Sequence, residues 1–416
     1  TFRLYYLAAA YEDGGQPAAA VRYYDEAAAT GANSPFIHRA KYWAARVTEG
    51  LGNATGASSR YRALVLDGPS GEFSGEAAFR AGYALLAAGD APGALAAWAG
   101  LNVPETARLD YWRGRAYEST GDSAAAKAAY QSAVAAGPLD FHGQEAALKL
   151  GTGKPRDVSY RQRNLGAGVN WESIATWLAT RVPGALPGQA KTAAGELAAL
   201  GLRDQAVDVV NGAAGGASPW RLLALAHEAY DAGLLDVASQ LGVRIRTAAG
   251  VKSDEAPPDL LRVVYPIGYV TQLDSQAKLA GVDPLFLAAL IRQESLWDPS
   301  ALSFADAYGL TQVIPATGEG IARALGVDFK VADLFRPAVS IQFGAYYLGG
   351  ELKRFVNPLI ALAAYNAGPA NASRWQAAWT SGSAADLVET IDIDQTQYYV
   401  ELIVENYAHY ERAYGN

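Results

Sequence analysis

The sequence has no cysteine and no methionine. Without cysteine there is no disulfide, no thiol nucleophile and no thiolate metal site. That absence is compatible with a secreted protein but fixes no compartment. The missing methionine has two readings. It is either compositional drift in an Ala- and Gly-rich chain or protection against oxidation, because methionine sulfoxide disrupts cores. Histidine is scarce, and His38, His142, His227 and His409 are scattered without ligand spacing. They read as structural residues, so no metal and no cofactor is expected. No run of 18 or more apolar residues is present, so no segment reads as a membrane span. No Gly-rich phosphate loop follows a strand pattern, and no Gly-x-Ser-x-Gly elbow occurs. Basic residues are in deficit, 34 Lys and Arg against 42 Asp and Glu, for a net charge of -8. Nucleic acid is therefore a poor partner, and any anionic substrate must meet a local patch. The chain opens at Thr1 without a Met, a basic n-region or a signal-type apolar stretch, and so reads as processed or trimmed.

What is present is a globular composition, 50% hydrophobic and 18% charged over 416 residues, enough for two or three domains. Internal repeats organise much of it. AAFRAGYALLAAGDAPGALAAW and RLDYWRGRAYESTGDSAAAKAAY align without gaps. Gly82 pairs with Gly114, Gly89 with Gly121, Asp90 with Asp122 and Trp98 with Tyr130, each 32 residues apart. Within a unit one helical pattern stops at Gly and a second starts after an Asp or Pro, which predicts a helix hairpin with a Gly stop and an N-cap start. Phe2 to Tyr24 has the same form, with Gly14 and Gly15 at the turn. LAALGLRDQAV and EAYDAGLLDVAS repeat it with Gly201 and Gly233. One hairpin cannot bury its apolar face alone, so stacking into a superhelix is expected. Most of the repeat aromatics read as core, not as ligand contacts.

Two interruptions set the expected boundaries. Residues Gly151 to Val169 are polar and basic, with Lys154, Arg156, Arg161 and Arg163, and read as a connection between helical blocks. KSDEAPP at Lys252 to Pro258 cannot continue a helix. The expected division is a helical-repeat domain over 1–165, a second helical-repeat or linker region over 166–258, and a distinct domain over 259–416.

The third region holds the chemistry. In GVDPLFLAALIRQES, Asp283 is a good N-cap and Pro284 suits the first helical position. Leu287, Leu290, Ile291 and Glu294 share one face of a helix that is apolar almost all round. A carboxyl at the end of a buried stripe has its pKa raised by desolvation and by the negative end of the helix dipole. A carboxylic acid that keeps its proton near neutrality is what glycosidic cleavage needs. Alone the signal is weak, since a Glu at a helix end is usually just solvated. Ser303 and the string AYGLTQVIPAT, with Gly309, Gln312 and Pro315, follow it. PLIALAAYNAGP then predicts a second buried helix, delivering Tyr365 and Asn366 to its C-terminal end. Two buried helices ending in polar side chains suggest a cleft built from helix ends.

From Leu261 to Tyr410 these strings, with LRVVYPIGY, FGAYYL and VETIDIDQTQYYVELI, resemble in order and spacing the catalytic domain of Slt-type soluble lytic transglycosylases. The resemblance implies a mainly α protein: an N-terminal superhelical solenoid of helix hairpins, then a goose-lysozyme-like, mostly helical catalytic domain. GPLDFHGQEA is similar to a motif near the end of that family's superhelix. The resemblance makes Glu294 the single catalytic acid/base. It places Ser295, Ser303, Gln312, Tyr365, Asn366 and Glu389 on the substrate, with Tyr365 close to the acid. The sequence departs from the family at Thr311 and Ile314, which stand for Met, at Asp306 for Gly and at Ser340 for Asn. Asp392, Gln395 and Gln397 replace the usual Pro, Glu and Arg, which bears on peptide-stem recognition more than on catalysis.

Two-carboxylate glycosidases need a second Asp or Glu at a set distance. Asp298, Asp306 and Glu319 are the neighbours in sequence, and they read as surface or capping residues. The resemblance implies that Glu294 protonates the oxygen between MurNAc and GlcNAc and that the N-acetyl group stabilises the cation. Glu294 then takes the proton of the MurNAc 6-hydroxyl as a 1,6-anhydro ring closes. The implied partner is the peptidoglycan glycan strand, in the periplasm or cell envelope, with partner synthases or amidases open. Two alternatives remain: a goose-type lysozyme using water, and a non-catalytic glycan-binding helical scaffold.

Overall fold

The computed structural model describes residues 1–31, 34–101, 106–187, 192–379 and 382–415. They form helices, with isolated β-bridges at Ser159–Val282, Leu302–Tyr308 and Tyr308–Val313 in place of any sheet. The fold is mainly α, as expected. The chain divides into two compact units, Thr1–Pro138 with His142–Lys154, and Leu139–Phe141 with Pro155–Asn416.

In the first unit the repeats are antiparallel hairpins. Helix Ser74–Ala87 pairs with Ala91–Ala99, and Ala107–Thr120 with Ser123–Ala136. Gly89 and Gly121 adopt φ of +88° and +80° at the turns, where a side chain would be strained. The Asp90 and Asp122 carboxylates then accept from the Gly93 and Ala125 amides, both at 2.9 Å. The other repeated pair explains itself by packing. A Cβ on Gly82 would lie 2.2 Å from the Trp98 ring, and one on Gly114 would lie 2.5 Å from Tyr130. Each glycine is the socket for the aromatic of its partner helix. Trp98 is fully buried, and its indole N–H donates to the Phe79 carbonyl at 2.8 Å.

The second unit begins with more hairpins and continues into the motif-bearing block. Helix Arg203–Ala214 precedes the pair Pro219–Asp231 and Leu235–Ala248, with Gly233 left-handed at the turn. The block itself uses Pro258–Val264, Val270–Ala280, Pro284–Ser295, Pro315–Leu325, Pro337–Phe355, Pro358–Ala367, Pro369–Ala378, Ala384–Glu389 and Asp394–Tyr414. Many of these open with Pro at the first position, where its missing N–H costs nothing. Helix Pro284–Ser295, here called the acid helix, is buried from Pro284 through Ile291. It packs along the C-terminal helix Asp394–Tyr414, with Phe286 edge-on to Tyr407 at 5.4 Å.

Two sets of contacts bind the earlier residues of this unit to the block. Residues 155–165 run beside the start of the acid helix, where the Tyr160 amide donates to Gly281. The Arg161 and Arg163 guanidinium groups both donate to the fully buried Asp283 carboxylate, at 2.6 and 2.5 Å. Asp283 also accepts from the Leu285 amide and the Tyr407 hydroxyl, so it caps the helix while its charge is matched. Farther on, Arg292 of the acid helix donates to the Ser239 hydroxyl and the Val264 carbonyl at 2.8 and 2.6 Å. Arg203 reaches Asp298 at 3.1 Å. The hairpin Pro219–Ala248 and the block thus share one compact unit.

Candidate active site

Glu294 sits on the last turn of the acid helix, which ends as Leu296 turns left-handed at φ +53°. Its side chain keeps a partial opening to solvent, and the rest is enclosed. Burial pushes its pKa up to about 8, while a hydrogen bond donated by the Tyr399 hydroxyl to Oε1 pulls the other way. At neutral pH burial therefore favours the protonated carboxyl, with Oε1 engaged by Tyr399. Tyr399 is buried on the C-terminal helix. It falls within the string VETIDIDQTQYYVELI, where the sequence assigns it no role. It lies 105 residues from Glu294, and nothing local marks it.

Tyr365, at the end of helix Pro358–Ala367, donates to the Thr311 carbonyl at 2.7 Å. Burial first, and then the neighbouring Glu294 charge, raise its own pKa. It stands close to the acid without being bonded to it. Thr311 is fully buried, and Ser340 holds it from below. The Thr311 amide donates to Ser340 Oγ at 3.1 Å, and Thr311 Oγ1 donates to the Ser340 carbonyl at 2.7 Å. Two positions that depart from the family are thus one bonded pair. The Ser295 hydroxyl donates to the Leu310 carbonyl at 2.9 Å, which ties the acid helix to the same segment.

The remaining site candidates lie around this centre. Ser303 Oγ accepts from the Ala305 and Ala307 amides, and Gln312 Nε2 donates to the Ala301 and Gly309 carbonyls. Both residues therefore shape the loop between the acid helix and helix Pro315–Leu325. Asn366 accepts from the Thr396 hydroxyl at 2.7 Å, and Glu389 from Gln397 at 3.0 Å. Both converge on the first turn of the C-terminal helix, one turn before Tyr399. Asp392 is clamped by Arg374 and by the Trp375 indole. Left-handed non-glycine residues concentrate here. Leu296, Trp297, Asp306 and Gln312 have φ of +53°, +71°, +54° and +47°. Such backbone is strained, and the surrounding contacts over-determine it. Trp297, for one, is buried and donates to the Tyr410 hydroxyl at 2.8 Å.

Of the neighbouring carboxylates, one is occupied elsewhere and two are exposed. Asp298 pairs with Arg203 and caps the Ser300 amide. Asp306 and Glu319 are exposed. Among the described residues no group of three His, Asp or Glu side chains is placed to hold a metal ion.

Residues 273–387 match the model of the Transglycosylase SLT domain. The resemblance to lytic transglycosylases is thus carried by a domain within the motif-bearing block. The soluble lytic murein transglycosylases of Salmonella typhimurium and Escherichia coli are 29% and 28% identical to it over 161 and 162 residues. Those alignments cover 38% of this chain and 25% of each relative. The chain thus spans about a quarter of the length of these curated relatives. Membrane-bound lytic murein transglycosylase C of Actinobacillus pleuropneumoniae is 32% identical over 111 residues, covering 24% of this chain and 30% of that one. Among solved structures, the lytic transglycosylase Slt of Pseudomonas aeruginosa, an inactive mutant, superposes with a TM-score of 0.67 at 25% identity. The match covers 95% of this chain and 60% of that one. The 70 kDa soluble lytic transglycosylase of Escherichia coli has the same fold, with a TM-score of 0.59 at 19% identity, covering 95% and 65%. Among the described residues, no helix is long and apolar enough to cross a membrane.

Proposed function

We propose that this chain is a peptidoglycan lytic transglycosylase in which Glu294 is the sole general acid/base. What supports the reading is Glu294 itself, half-buried at the end of a buried helix, held by Tyr399 and with its pKa pushed up by burial to about 8. Its carboxyl proton passes to the glycosidic oxygen between MurNAc and GlcNAc as the bond to the anomeric carbon breaks. The N-acetyl carbonyl of the same MurNAc steadies the cationic centre. The carboxylate so formed keeps its bond from Tyr399. It then accepts the proton of the MurNAc 6-hydroxyl as that oxygen closes on the anomeric carbon. Atoms balance without water, metal or cofactor, and the product is a 1,6-anhydroMurNAc end.

Ser303, Gln312, Asn366 and Glu389 are the groups proposed to meet sugar or stem along the cleft, with Ser295 fixing the acid helix to Leu310. Tyr365 is proposed to order the space where the 6-hydroxyl must sit. Holding reacting groups together in this way contributes roughly 7–11 kcal/mol in well-oriented intramolecular reactions. Peptidoglycan lies outside the cytoplasm, so the proposed place of action is the periplasm or cell envelope. Turbidity loss on purified sacculi tests the reading. Glu294→Gln keeps the shape, removes the titrating proton, and is expected to lower the rate at least about 100-fold. Wild-type turnover by the variant would overturn the assignment.

A further inference from the structure

Leu302 and Phe304 expose apolar side chains on either side of Ser303, and Phe304 is fully exposed. Leaving one Phe in water forgoes the favourable burial of its ring. Here the exposure is not a loose end. The Ser303 amide donates to the Ala307 carbonyl at 3.0 Å, and Gly309 to Ala301 at 2.8 Å. Ser303 Oγ closes the turn on the Ala305 and Ala307 amides, and Leu302 bridges to Tyr308. Tyr308 in turn packs edge-on to Phe335 at 5.4 Å. The loop is anchored to the acid helix through Ser295 and Leu310. A fixed turn thus presents an unpartnered aromatic ring from the loop that carries Ser303 and Gln312.

We propose that Phe304, with Leu302 beside it, is a stacking platform for an N-acetylglucosamine ring flanking the cleaved bond. The proposal rests on the glycan-cleaving reading above. A pyranose has an apolar C–H face and a polar rim. The Phe304 ring and Leu302 suit the face, and the polar residues between and beyond them, Ser303 and Gln312, suit the rim. The exposed carboxylate of Asp306 on the same turn repels an anionic lactyl or stem-peptide group and accepts from sugar hydroxyl or amide donors. That selects the uncharged sugar of the alternating strand.

The test uses the full chain on glycan strands stripped of their peptides. Phe304→Ala is expected to raise KM about fivefold to tenfold, the worth of one aromatic stacking contact, with kcat changed by less than about twofold. Phe304→Trp is expected to restore KM. The melting temperature should not move, because the ring has little folded-state contact to lose. In parallel, chitotetraose binding is measured calorimetrically on Glu294→Gln and on Glu294→Gln with Phe304→Ala. The second protein is expected to bind about fivefold or more weakly. Unchanged KM and unchanged chitotetraose affinity would overturn the platform, as would a fall in kcat alone. A wild-type chain that cleaves no strand while the Phe304 change still weakens chitotetraose binding would refute the enzymatic reading and leave the platform standing.

Discussion

Glu294 owes its chemistry to two opposed contributions, burial that disfavours its charge and a Tyr399 hydroxyl that favours it. Removing the hydroxyl leaves burial unopposed. Tyr399→Phe is therefore expected to shift the alkaline limb of the kcat/KM profile to higher pH, while lowering the rate because the developing carboxylate loses its donor. A limb moving to lower pH would contradict the assignment. The same shift predicts a stability change. Glu294 has a folded pKa raised to about 8 over an ordinary value of 4.5, so its favourable contribution is complete below about 4.5 and is lost as pH rises towards 8. In that window the wild-type chain loses up to about 1.4 kcal/mol of stability per pH unit from this group. Glu294→Gln removes the effect, so the variant should melt above wild type at pH 8 and level with it at pH 4. The proposed acid was legible in the sequence because a helix periodicity and a motif coincide on it. Tyr399 and the Thr311–Ser340 pair were not, since each depends on a contact between residues far apart in the chain.

At the scale of elements, the repeat pattern is legible in the sequence because it is local. The Gly and Asp of each turn act within a few residues, and the 32-residue spacing displays the second copy. Gly82 was legible as a repeated position. That it is a socket for Trp98 needed the hairpin to be closed. Gly82→Ala is expected to destabilise the chain by about 1–3 kcal/mol through overpacking, measured by denaturant unfolding. No change would mean that Trp98 has room to move. The basic segment from Gly151 to Val169 is the instructive contrast. By composition it is a connection, yet Arg161 and Arg163 lie on the buried N-cap of the acid helix. Charge in a loop says nothing about which carboxylate, 120 residues on, it will meet. Asp283→Ala would strand those cations and open the helix start. Thermal unfolding should register a loss of about 3–5 kcal/mol.

At the scale of the whole chain, the motif-bearing block does not stand apart from the helices before it in the second unit. Arg292 bonds to Ser239, Arg203 to Asp298, and Gly242 packs on Val263 and Val264. A fragment of residues 155–416 is expected to fold and keep turnover on sacculi, whereas 259–416 is expected to be poorly folded by circular dichroism and inactive. Full activity of the shorter piece would show those contacts to be dispensable. The central claim is that one carboxyl cleaves the strand without water, and cleavage of sacculi in oxygen-18 water followed by mass spectrometry of the muropeptides tests it most directly. The account predicts unlabelled 1,6-anhydroMurNAc ends. Reducing MurNAc ends carrying heavy oxygen in most of the wild-type product would contradict it and make the enzyme a hydrolytic lysozyme.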